Sequence, residues 1–236
     1  MERNRYNTGL DAGSRSDVAV GFMTKVYQWM SIGVLLTAGV SLYIGSNEEL
    51  AMSIASNKGL FWGVIIAQFA VVIGLSAMIN RMTAMMAMGL FLLYSVLTGV
   101  TFSTLFLIYT NSSIQSAFFT TAIGFGGLTA FGYITKKDLG PIGTFCSMGL
   151  FGLIGYSLLA IFFPSMMGGI AGQIYGLVGI IVFAGLTAYD TQAIKNMAPS
   201  GSGEHVQKGA IMGALKLYLD FINLFLFILR FSGRKK

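Results

Sequence analysis

The sequence predicts an all-α membrane protein that crosses the bilayer seven times, and three observations carry that expectation. Of its 236 residues, 55% are hydrophobic and only 10% charged, whereas a soluble domain carries about 25% charged residues. Mean hydropathy is +0.73. The apolar residues gather into runs of about twenty, the length needed to cross about 30 Å of hydrocarbon, and the charges stand at the ends of those runs.

Taken in order, residues 26–46 form the first predicted span, with Tyr27 and Trp29 at one interface and Glu48-Glu49 past the other. Residues 59–80 form the second, framed by Lys58 and Arg81. The uncharged stretch from Met82 to Thr135 is too long for one crossing. The polar patch Thr110-Asn111-Ser112-Ser113 divides it into spans over 83–109 and 116–135. Lys136-Lys137-Asp138 then interrupts the chain, and Pro164 with Gly168-Gly169 splits the next run into spans over 142–163 and 174–194. Residues 195–208, rich in Pro, Ser and Gly, read as a loop before a seventh span over 209–229. Residues 1–22 read as a polar N-terminal tail carrying at most a weak helix from Asp17, and residues 23–236 as the transmembrane domain. No apolar stretch in the first 25 residues has the form of a cleavable signal.

Lys and Arg concentrate on one side of this arrangement. The tail, Arg81, Lys136, Lys137, Lys195 and Lys208 share the face that also bears the N-terminus, whereas only Lys58 stands on the other until the C-terminal tail. The positive-inside rule places the N-terminus in the cytoplasm. Seven full crossings then carry the basic residues Arg230, Arg234, Lys235 and Lys236 to the opposite side, against the rule, unless the last helix stops short. The net charge of +6 is scattered among span ends and forms no stripe, so it marks interfacial anchors rather than a nucleic-acid surface. The single Cys146, within an apolar run, excludes an intrachain disulfide, and the lone His205 argues against a histidine metal site. No nucleophile–base pair or phosphate-binding glycine motif appears, and no enzymatic activity is expected.

Seven of the nine acids fall in tails or loops, leaving Asp190 in the sixth span and Asp220 in the seventh. A carboxylate within a span costs about 2.5–3.5 kcal/mol to insert, so each marks a functional site by default; the bland alternative is a helix-joining carboxyl bonded to neighbours such as Thr187, Thr191 or Tyr218. Asp190 lies toward the cytoplasmic end of its span and Asp220 near the middle of the next. If antiparallel packing brings them together, both do not readily ionise at once, and the pair responds to pH. Ionised, it offers hard oxygen ligands suited to Ca²⁺. Lys216, four residues before Asp220, shares its helix face or snorkels to the interface. Arg81 reads from spacing alone as a topology anchor. Intramembrane aspartyl proteases and retinal proteins also use such spans. The Leu217-Tyr218-Leu219 preceding Asp220 is not the Gly-x-Gly of the former, and the third span lacks the acid that the latter would need.

The segments Gly185-Leu186-Thr187-Ala188-Tyr189-Asp190-Thr191-Gln192 and Leu217-Tyr218-Leu219-Asp220-Phe221-Ile222-Asn223-Leu224-Phe225 closely resemble the Bax inhibitor-1 family, in its bacterial branch. The resemblance implies a seven-helix bundle with the last helix central, in a bacterial inner membrane. It implies a pH-sensitive Ca²⁺ leak channel, with Asp190 and Asp220 as the pH-sensing pair and Arg81 as a latch to it. Ca²⁺ and protons are then transported or transient species, with no tightly bound cofactor. Other members of the family modulate a membrane-anchored AAA protease through the N-terminal tail, which is the alternative activity. Lys216 departs from the family pattern, where a small or neutral residue is common. An ammonium one turn from Asp220 would favour its ionised form, compete with Ca²⁺ and weaken conductance.

Overall fold

The computed structural model describes residues 3–199 and 203–236, with side chains from Asp17 onward. Among the described residues nine α-helices follow one another: α1 (Arg3–Gly45), α2 (Glu48–Ser56), α3 (Lys58–Met78), α4 (Ala84–Ser103), α5 (Leu105–Ile108), α6 (Asn111–Ile134), α7 (Gly140–Phe162), α8 (Gly169–Asn196) and α9 (Glu204–Ser232). Seven stretches are long and apolar enough to cross a membrane, supplied by α1, α3, α4 with α5, α6, α7, α8 and α9. The expected membrane bundle is present.

Helix starts follow the polar residues that interrupt the apolar runs. Asn47, Asn57, Thr83 and Thr110 cap α2, α3, α4 and α6, each side-chain oxygen accepting a backbone N–H from the first turn. The predicted boundary at Thr110 is thus real, although Asn111-Ser112-Ser113 form the first turn of α6 rather than a connection. Pro141 likewise sits in the first turn of α7, where its missing N–H costs nothing. Three features differ from the sequence expectation. The first helix begins at Arg3 and runs unbroken into the first span. The short α2, with buried Ala51 and Ile54, fills what reads as a plain loop. The third span breaks at Thr104 into α4 and α5.

The bundle is built around α9. In its most apolar stretch 61% of residues are buried, against 6% for α3 at the periphery. Helices α1, α4, α6 and α8 surround it. One core joins Val26, Leu75, Phe91, Ile211, Leu217 and Tyr218, and a second packs Cys146, Val182 and Phe183 against Leu224. At 29 residues, α9 is about 43 Å long, long enough to cross the hydrocarbon fully. Beyond it the chain folds back onto the α5–α6 connection: Thr110 donates its backbone N–H to Arg234, and Lys236 donates to Ile108. Tyr109 and Lys235 form an antiparallel bridge there. The C-terminus therefore lies at the bundle end opposite Arg81 and Lys136, the arrangement that seven full crossings require.

Candidate functional site

Asp190 sits six residues before the end of α8, and Asp220 lies in the central α9. Two close helix approaches hold the Asp190 segment in place. A side chain at Gly132 of α6 would run into the Ala188 carbonyl, and one at Gly143 of α7 would run into the Tyr189 ring. Both helices can therefore approach α8 closely just ahead of the carboxylate. Gln192, two residues on, accepts the Leu139 N–H at 2.9 Å and donates to the Lys137 carbonyl at 2.8 Å, tying the Lys136-Lys137-Asp138 connection to the same helix.

Both residues are 4% exposed, and their carboxyls are close enough to interact directly. The pairing expected from the sequence is present. Asp190 Oδ1 accepts an ion pair from Lys216 Nζ at 2.8 Å, and that ammonium also lies 5.5 Å above the Tyr189 ring. Lys216 thus shares its helix face with Asp220 as the spacing implies, but the oxygen it engages belongs to Asp190 on the neighbouring helix. Asp220 Oδ2 is buried and bonded to nothing among the described residues. Charge counting shows what this trio can do. With one proton shared between the two carboxyls and Lys216 in place, it is neutral. Without that proton it carries one buried negative charge, a costly state that a cation would relieve.

Arg81 closes a short 3₁₀ turn after α3, is exposed, and makes no ion pair with either aspartate among the described residues. The turn that follows it is held instead by Glu204 and Lys208, whose sequence positions mark them only as loop charges. Glu204 Oε1 accepts the Ala84 N–H at 3.1 Å, and Lys208 Nζ donates to the Met82 carbonyl at 2.7 Å while pairing with Glu204 at 3.6 Å. Each looks like an ordinary loop charge in sequence, and no local signal marks the pair as a clamp between α9 and the α3–α4 turn.

A cavity of about 610 Å³ opens at this same end of the bundle, between α1, α3, α8 and α9. Phe22, Ser76, Ile194, His205 and Leu219 line it, and Lys216 lies in its wall. The histidine expected in a polar loop thus stands in the first turn of α9 beside this opening. No group of three potential metal ligands occurs among the described residues, so the site offers a cation two carboxyls at most.

The family model described as inhibitor of apoptosis-promoting Bax1 matches residues 19–236. The inner membrane protein YbhL of Escherichia coli K12 is 43% identical over 220 residues, covering 91% of this chain and 92% of that protein. An uncharacterized protein of Borreliella burgdorferi is 42% identical over 217 residues, covering 91% and 92% of the two chains. One of Deinococcus radiodurans is 41% identical over 215, covering 91% and 90%. With its seven apolar helices and an inner membrane relative of nearly equal length, the chain is a multi-pass protein of the bacterial inner membrane and belongs to the Bax inhibitor-1 family.

Proposed function

We propose that the protein is a pH-sensitive Ca²⁺ leak channel whose gate is the Asp190–Asp220 pair. The observation that carries this reading is the buried carboxyl pair itself, with Lys216 neutralising one member and Asp220 Oδ2 without a partner among the described residues. Protonation makes the trio neutral and leaves a cation no charge to compensate. Loss of the shared proton creates a negative site behind Lys216, which stands in the wall of a cavity large enough for a hydrated ion. The N-terminus and Arg81 are assigned to the cytoplasmic side, where Lys and Arg concentrate. Arg81 then belongs to a latch only in a conformation that brings it inward from its exposed position here.

The test is Ca²⁺ influx into liposomes containing the purified full chain, measured across a pH series. Flux should rise as pH rises, and Asp190→Asn with Asp220→Asn should abolish the pH dependence. An unchanged pH response in the double variant would falsify the gate. A second reading, a non-conducting modulator of a membrane AAA protease, draws on the long α1, which starts well ahead of the first span. Removing residues 1–20 should then abolish partner binding while any flux persists.

A further inference from the structure

Lys216 is the charged group that separates the cavity from the buried carboxyl pair. Among the described residues lining the cavity it is the one Lys or Arg, and no Asp or Glu accompanies it there. Its side chain is 46% exposed while that of its partner Asp190 is 6% exposed. The ammonium therefore faces water and the carboxylate does not. An ion pair with one half-exposed partner is weak, because water competes for the ammonium and a long side chain loses rotamer freedom to hold it. The Lys216 stem can swing into the cavity at little cost, whereas Asp190 and Asp220 are fixed by packing on α8 and α9.

We propose that Lys216 is a tethered cation that occupies, at Asp190 Oδ1, the position a divalent cation from the cavity must take. Its displacement then sets the Ca²⁺ concentration at which the site fills. This rests on the carboxyl pair as the cation site, and it adds a built-in competitor. The charge balance fits. With the ammonium seated, Asp190 is already compensated. A Ca²⁺ ion at the pair compensates both carboxylates, and the released ammonium returns to water in the cavity. A merely structural Lys216 would stabilise α9 against α8 without competing with any ion.

The two roles separate in a binding experiment. Tb³⁺, a luminescent stand-in for Ca²⁺ that Tyr189 is placed to sensitise, is titrated at one fixed neutral pH into the full chain in detergent, alone and against Ca²⁺. Lys216→Met should bind about fivefold more tightly than the wild type, the scale of a weak ion pair. Lys216→Arg should keep the wild-type affinity. Adding Asp190→Asn to Lys216→Met should remove the gain, and n-propylammonium should compete in Lys216→Ala but not in the wild type. Equal affinities for the wild type and Lys216→Met, or no binding by any variant, overturn the proposal. A tighter Lys216→Met that passes no Ca²⁺ in liposomes upholds it and refutes the channel instead.

Discussion

Tyr218 stands two residues before Asp220, about 200° around the helix, and its ring is wholly buried against Phe91 and Tyr94. Thr37 Oγ1 donates to the Ser95 carbonyl at 2.8 Å, so the 2.6 Å bond between Thr37 and Tyr218 must be donated by the phenol. Tyr218→Phe leaves every donor in this chain of bonds satisfied and should cost about 1 kcal/mol, typical of an interhelical bond in a membrane. Equilibrium unfolding in mixed detergent checks this, and a loss several times larger would show that the phenol has a second partner. The acids were legible from sequence because a carboxylate inside an apolar run has almost no other explanation. The partner of Lys216 was not, since spacing along α9 points to Asp220 while the long side chain reaches sideways to Asp190. Glu204 and Lys208 were illegible for a related reason. Their targets are backbone groups more than a hundred residues away, and backbone groups carry no sequence signature.

Among the elements, spans announce themselves by length and hydropathy, and their positions emerged to within a few residues. Short helices do not. The nine residues of α2 carry two glutamates, and the helix is amphipathic enough to rest on the bundle end but too short to register as a span. Pairwise helix approach was equally hidden, because 31 glycines do not reveal which of them touch a neighbour. Gly132 does, and Gly126 on the same helix faces open space. Gly132→Ala should therefore push α6 off α8 and destabilise the fold by about 1–3 kcal/mol, the range for overpacking, and should disturb the nearby carboxyl pair. Gly126→Ala should do neither. Thermal unfolding of the two variants side by side is the measurement, and equal melting would refute the proposed close contact.

For the whole molecule, the two ends of the bundle carry different chemistry. Arg81, Lys136, the cavity and the Glu204–Lys208 clamp share one end, while α2, the α5–α6 connection and the C-terminal residues share the other. Single cysteines placed at Glu49 and Lys236 should react with a membrane-impermeant maleimide from one side of the membrane, and a cysteine at Lys137 from the other. Buried Cys146 provides a quiet background. Labelling of Lys236 and Lys137 from the same side would refute seven crossings. The position of α9 also bears on how the protein is made. The helix that fills the centre leaves the ribosome after the four that surround it. Until it arrives, the shell must hold a slot whose wall bears the Thr37 hydroxyl without its Tyr218 donor, alongside Asp190 without its lysine. Assembly is thus an insertion of a keystone, and a chain stalled before residue 204 should be a substrate for membrane quality control rather than a smaller, stable bundle.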